Sequence, residues 1–381
     1  MTEDLHGLHG TEHQARARVA LTAALATGPS HAYLFRGPRG SGKSLVARAF
    51  AAELLAVGAA DAEDARRRAM LDPSPHPDLV WLRPPGAQHM VEEVREKVIR
   101  ASSYRPFEAE KRVFVIEAAE QMRDESQNAL LKTLEEPPGF VHLILLTAEP
   151  AALLETIASR CQPVDFAPLP PEAVEAALCE GRAGGGEGAA ASRAAEPDEI
   201  AAAARLSAGD VELARLLLSE QGRKVRGEAE GLAAAVLDEG DAEPSWRAML
   251  KSAEEAGEEA EAAAREALEA DKEAGIKRSA RDIADAAKRA GRRRRTELLD
   301  LGLSLAAAWF RDLTAVASGA ADVAYNRDRL AQLQSQAADL DPAAPRRAAE
   351  QIQDTRRRLD LNVSEELALE ALSFRLAAVL G

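Results

Sequence analysis

The chain is 381 residues long, and at about 150 residues per domain that length holds two or three domains with at least one sizeable core. Hydrophobic residues make up 46%, charged residues 29% and aromatic residues only 4%, a balance that argues against a disordered chain and, with its abundant alanine, against an all-β one. The 48 Lys and Arg are outnumbered by 63 Asp and Glu, a net charge of -15, which argues against a protein that coats nucleic acid by itself. DNA contact is then local or shared with partners.

Two cysteines, Cys161 and Cys179, supply neither a disulfide framework nor a four-ligand zinc site, so no zinc is expected. Residues 1–6 are acidic and polar with no basic n-region, and no later apolar run approaches a membrane span. The expected location is the cytoplasm, away from membranes.

In chain order, residues 12–27 carry Ala and Leu at helical spacing, and Ala32-Tyr33-Leu34-Phe35 reads as a buried strand running into a glycine-rich turn. A helix over residues 45–55 follows. Asp78-Leu79-Val80-Trp81-Leu82, Val113-Phe114-Val115-Ile116 and the apolar run 141–146 are further strands. The last two are separated by a helix over 126–135 that stops at Pro137-Pro138. Strands alternating with helices predict an α/β fold with a parallel sheet covered on both faces. After residues 165–170 the β-type runs end, placing a first boundary near residue 167. Residues 182–193 are Gly/Ala-rich and read as a flexible insertion.

Residues 254–273 are dominated by acids and 277–295 by bases, ending in Arg292-Arg293-Arg294-Arg295. The stretch reads as a solvated helix or helical hairpin, with Glu261 and Arg265 in the supporting i,i+4 order. A nucleic-acid role for the arginine run stays open beside that reading. Leu298, Leu301, Leu305, Trp309, Leu313 and Val316 then form an apolar stripe, as do Leu369, Leu372, Leu376 and Val379. Such stripes form helix-bundle cores.

The strongest chemical signal is Gly37-Pro38-Arg39-Gly40-Ser41-Gly42-Lys43-Ser44, which satisfies G-x-x-x-x-G-K-[ST] between a strand and a helix. In such a loop, backbone N–H groups converge on a β-phosphate at the positive end of the helix. Lys43 reaches the β/γ-oxygens, and the Ser44 hydroxyl can ligate Mg²⁺. A hydrolase of this class also needs an acid at a neighbouring strand end for the metal and, in many ATPases, a second carboxylate for the attacking water. Here the strand ends Ile116-Glu117-Ala118-Ala119-Glu120. Glu117 is the candidate metal residue with Ser44, but Ala118 occupies the activating position and cannot orient or deprotonate water. The expectation is a site that holds ATP or ADP with Mg²⁺ and hydrolyses it poorly. Thr147, at the end of the next strand, is a candidate for the γ-phosphate surroundings. Arg160, in Ser159-Arg160-Cys161, stands at an edge from which a guanidinium does not easily reach its own loop but can stabilise charge in an adjacent subunit; taken alone, the triplet reads better as a surface arginine in a salt bridge.

Three blocks now stand in order: residues 31–44, Asn128-Ala129-Leu130-Leu131-Lys132-Thr133-Leu134-Glu135-Glu136-Pro137-Pro138, and Ser159-Arg160-Cys161. Together, over roughly residues 5–168, they resemble the AAA+ clamp-loader subunits of bacterial DNA polymerase III. Motor subunits of that family, gamma/tau, carry an Asp-Glu pair after the corresponding strand and a cysteine zinc module before it. This chain has Glu117-Ala118 and no cysteine between Lys43 and Glu117, so it is similar to the delta-prime branch, with residues 62–70 a short helix in place of the module.

The resemblance implies three domains: an AAA+ RecA-like domain (1–166), a helical lid (167–222) with the insertion 182–193, and an all-α collar (223–381) that includes the charged segment 251–295. It implies Arg160 as a trans-acting arginine finger, and as partners the gamma/tau motor and delta subunits of a hetero-pentamer, the sliding clamp, and primer-template DNA reached through the complex. The place of a lid sensor arginine is taken by Glu212, with Arg215 a turn later. A gamma/tau-like motor ATPase and a nucleotide-independent scaffold with a relic loop are the competing readings.

Overall fold

The computed structural model describes residues 8–84, 89–181, 195–238, 243–273, 279–338, 340–359 and 363–380; the expected insertion 182–193 lies outside them. The chain divides into two compact units, Met1–Pro170 and Pro171–Gly381.

The first unit runs α1 (Ala15–Thr27), β1 (Ala32–Arg36), α2 (Lys43–Ala56), α3 (Ala62–Met70), β2 (Leu79–Leu82), a helical stretch over 91–103, β3 (Arg112–Ile116), α4 (Asp124–Glu135), β4 (Val141–Thr147), α5 (Glu155–Ala158) and β5 (Gln162–Asp165). The five strands form one sheet in the order β2-β3-β4-β1-β5, and every neighbouring pair is parallel. Side chains alternate between its faces. Tyr33, Phe35, Val113, Val115, Ile144 and Leu146 enter one core with Phe50 and Leu54 of α2. Leu34, Phe114, Ile116, Leu143 and Leu145 enter the other with Leu130 and Leu134 of α4. Burial on both faces explains why the central strands read as unbroken apolar runs.

This is the expected α/β P-loop fold, a RecA-like sheet followed by an all-α unit. Strand β5 was not expected. It lies at the sheet edge, only Val164 of its four residues is buried, and Pro163 is tolerated there because an edge strand leaves one row of N–H groups unused.

The second unit contains α6 (Pro171–Gly181), α7 (Pro197–Leu206), α8 (Val211–Leu218), α9 (Glu220–Leu237), α10 (Glu243–Glu273), α11 (Ala280–Ala317), α12 (Leu330–Ala337), α13 (Ala343–Leu359) and α14 (Glu365–Leu380). The expected division between residues 222 and 223 falls inside α9. Ser219 ends α8 and caps α9, accepting a hydrogen bond from the Gly222 amide at 3.2 Å. Gly222 is a packing glycine rather than the end of a linker: a Cβ there would come within 1.9 Å of the Leu216 carbonyl oxygen.

The acidic and basic stretches form the antiparallel pair α10 and α11, and the polar and apolar halves of residues 280–317 are one continuous helix. Leu298, Leu305, Trp309 and Leu313 are buried along it. Asp312, fully buried, accepts hydrogen bonds from the Tyr325 amide, the Asn326 amide and the Asn326 side chain at 2.8–3.0 Å, and from Arg311 at 2.8 Å. Arg226 of α9 reaches the same loop through Asp328 at 2.7 Å and Asn326 at 2.7 Å. Among the described residues no helix is long and apolar enough to cross a membrane.

Candidate functional site

The phosphate loop fills the turn between β1 and α2. Its first amide, Gly37 N–H, donates to the Thr147 carbonyl at 3.2 Å, so the loop is anchored to the end of β4. A Cβ on Gly37 would lie 2.4 Å from the Phe166 carbonyl oxygen; only glycine lets the backbones pass. Gly42, with φ +83°, turns the chain into α2, a conformation glycine adopts without steric cost.

Lys43 is buried. Its ammonium donates to the carbonyls of Gly37 and Pro38 at 2.6 Å each and to Ser41 Oγ at 3.3 Å, which places it over the loop interior. Pro38 and Arg39 are exposed. A buried Gln14 ties the loop down: its amide nitrogen donates to the Ser41 carbonyl at 3.0 Å and to the Ala167 carbonyl at 2.7 Å, and its oxygen accepts from the Ala167 amide at 2.9 Å.

Ser44, on the first turn of α2, donates its hydroxyl to Glu117 Oε1 at 2.8 Å. The other carboxylate oxygen, Oε2, accepts from Trp81 Nε1 at 2.9 Å and Arg83 Nε at 2.8 Å. Arg83 also grips Asp72 through both terminal nitrogens, at 3.2 and 2.6 Å. Arg48, buried in α2, reaches Asp72 at 3.1 Å and lies 4.3 Å from the Trp81 ring centroid, within cation–π range. Burial works to raise the Glu117 pKa, but the hydrogen bonds from Trp81, Arg83 and Ser44 outweigh it and hold the carboxyl below its ordinary range.

The two residues expected at the metal therefore do stand together, in company the sequence did not announce. Glu117 is already charge-paired with Arg83 at 2.8 Å. As arranged, this donor set does not fit Mg²⁺: the single acid is matched by a fixed cation.

Ala118 follows Glu117 in the left-handed region, at φ +50° and ψ +53°. The Glu117 carbonyl on its other side is held 2.7 Å from His89 Nε2. Thr147 is buried; its hydroxyl oxygen accepts from the Glu149 amide at 3.1 Å, and its carbonyl is the one that anchors Gly37.

Arg160 is not in this cluster. It lies two residues before Gln162, which pairs with Tyr33 near the start of β1, whereas the phosphate loop leaves the far end of that strand. Four residues at ~3.3 Å each separate the two rims of the sheet by about 13 Å. The guanidinium pairs with Glu135 at 2.8 Å and donates to the Thr156 carbonyl at 3.0 Å. Next to it Cys161 is buried in the core, and burial pushes its thiol up to about 12. The arginine is thus carried on a rigid base.

In the second unit Arg215 pairs with its helix neighbour Glu212, and Asp210 caps α8 by accepting from the Glu212 and Leu213 amides. Three members of the arginine run are engaged within the unit. Arg293 pairs with Glu297 at 2.8 Å, Arg294 hydrogen-bonds Gln221 of α9, and Arg295 reaches Glu254 at 3.1 Å and also Glu365 of α14. Arg294 and Arg295 thus brace neighbouring helices, while the Arg293–Glu297 pair lies within α11.

Sequence reasoning missed Gln14, Arg48, Asp72, Trp81 and Arg83. None belongs to a short motif, and only the fold brings them to the loop; the one available signal was Trp81, an aromatic with a polar N–H at the end of a buried strand.

Comparison with known proteins locates the resemblance in the first unit. The family described as "DNA polymerase III, delta subunit" matches residues 14–170. The DNA polymerase III subunit delta' of Bacillus subtilis is 36% identical over 156 residues, 40% of this chain and 46% of that one. The subunit delta' of Pseudomonas aeruginosa is 38% identical over 137 residues, 35% of this chain and 42% of that one. The subunit gamma/tau of Mycobacterium bovis is 35% identical over 170 residues, 43% of this chain and 29% of that one. The chain spans less than half the length of each of these relatives.

Proposed function

We propose, from the likeness of residues 14–170 to the DNA polymerase III delta' and gamma/tau subunits, that the chain acts as a delta-prime-like subunit of the clamp loader. It binds a nucleotide at loop 37–44, hydrolyses it poorly, and lends Arg160 to the nucleotide of a neighbouring motor subunit. Its partners in this reading are the gamma/tau and delta subunits of a cytoplasmic hetero-pentamer, the sliding clamp that the assembly opens, and the primer-template DNA on which the clamp is placed.

The observation that carries the reading is the placement of Arg160. It stands at the opposite rim of the sheet from its own phosphate loop, held by Glu135 and Thr156 above a buried Cys161. A cation there is remote from its own loop, and this supports a role at a triphosphate presented by another chain. In that role it stabilises charge developing on the transferred phosphoryl group, and because it is already oriented, little reorganisation is needed as the reaction proceeds.

At its own loop, the backbone amides at the start of α2 orient phosphate oxygens. Lys43 leaves the carbonyls of Gly37 and Pro38 to meet them. No carboxylate at position 118 is present to prepare water, and this sets the chain apart from a gamma/tau-like motor. The test is steady-state ATP hydrolysis by the purified chain beside direct measurement of nucleotide binding. Binding abolished by Lys43→Ala, with turnover at background, is expected. Turnover by the chain alone that Lys43→Ala removes identifies a motor instead, and absence of binding identifies a scaffold.

A further inference from the structure

Glu117 meets the phosphate loop with its charge already matched, and from this we infer that Arg83 takes the place of a divalent cation, so that loop 37–44 accepts a nucleoside di- or triphosphate without metal. The inference rests on the nucleotide reading above and specifies the form of the ligand.

The geometry is that of a built cation position. An ionised carboxylate offers about four lone-pair directions, and three donors already occupy Glu117: Ser44 on Oε1, and Trp81 and Arg83 on Oε2. Arg83 is held from its other side by both oxygens of Asp72, and Asp72 is held by the buried Arg48, which also stacks against Trp81. Each partner fixes the next. A guanidinium remains charged at every pH a protein survives, so the cation is permanent.

Mg²⁺ would require a carboxylate free to face an octahedral shell of oxygens, and its strongly held waters need room. Here Oε2 is turned toward the planar donors Trp81 and Arg83, and Oε1 toward the Ser44 hydroxyl. Lys43, Arg83 and Arg48 set three positive charges against two carboxylates, Glu117 and Asp72. This group of side chains beside the loop is thus net positive before any ligand arrives, the condition for attracting a polyanion by itself.

Calorimetric titration of the full chain with ADP, in excess Mg²⁺ and in EDTA, tests this. The native chain is expected to bind with affinities that agree within about twofold in the two buffers. Arg83→Ala removes the built-in cation and is expected to bind at least on the order of tenfold more weakly in EDTA than in Mg²⁺, the scale of one charge-assisted contact. Arg83→Gln, which keeps length and a donor without the charge and so protects against a folding defect, is expected to follow Arg83→Ala. A native chain that loses tenfold or more in EDTA overturns the inference, as do Arg83 variants whose binding ignores Mg²⁺. Absence of any ADP heat sensitive to Lys43→Ala, in either buffer, overturns the nucleotide reading itself and the inference with it.

Discussion

Arg160 and Glu135 form an ion pair at 2.8 Å between the end of α4 and the segment leading into β5. The pair joins the second and third sequence blocks, the Asn128-to-Pro138 run and Ser159-Arg160-Cys161, which lie apart in sequence and meet in the fold.

Glu135→Ala tests that relationship. Both side chains are substantially exposed, 35% for Arg160 and 49% for Glu135, so the loss in stability is expected to stay below about 1 kcal/mol. The effect belongs in the partner. Reconstituted with motor subunits, the variant is expected to lower their ATP turnover by roughly 3- to 10-fold through loss of orientation, less than removing the guanidinium itself. Partner turnover at the native level would assign Glu135 to solvation alone.

Two glycines of the phosphate loop are expected to differ. Gly37→Ala drives a Cβ to 2.4 Å from the Phe166 carbonyl, displaces the loop and abolishes nucleotide binding. At Gly42 a Cβ finds no atom nearer than Gly10 O at 3.8 Å, so only the φ of +83° resists. Gly42→Ala therefore costs about 1 kcal/mol and leaves weakened but measurable binding. Titration with labelled nucleotide separates the two, and equal loss would contradict the local geometry.

Asp312 organises the second unit from within. Asp312→Ala strands the Tyr325 and Asn326 amides and is expected to destabilise that unit by about 3 kcal/mol, read from urea unfolding of a Trp81→Phe background followed by tryptophan fluorescence, which Trp246 and Trp309 of that unit then supply. Arg346→Ala, whose partner Glu350 is a helix neighbour on an exposed face, is the control and is expected to change stability by less than about 0.5 kcal/mol.

The two cysteines are expected to label unequally. Cys179 is exposed, whereas burial raises the Cys161 thiol to about 12. At mildly alkaline pH, iodoacetamide modifies Cys179 in the folded chain and spares Cys161 until urea is added. Because the folded value lies above the unfolded one, the neutral thiol's contribution to stability is complete below about 8.5. It is lost as pH rises toward 12.

The central strands and the glycine-rich loop were legible because each follows from local rules: buried strands are continuously apolar, and a phosphate loop needs glycines at fixed spacing. The edge strand β5 was not, since one buried residue in four leaves no period to read. The limit at residue 222 was not legible either: Gly222 lies inside a helix and packs against the Leu216 carbonyl, a contact that only the fold creates. Arg83, Asp72 and Arg48 escaped for the same reason. Arg83 meets Glu117, Asp72 meets Arg83 and Arg48 meets Asp72 only through tertiary folding.

The most direct measurement is ATP turnover by the reconstituted loader containing Arg160→Ala in this chain. The assembly is expected to remain intact by size-exclusion chromatography, while DNA-stimulated hydrolysis at the neighbouring motor site falls on the order of 10³-fold, the scale of a lost arginine finger. Turnover at the native rate in an intact assembly would contradict the account.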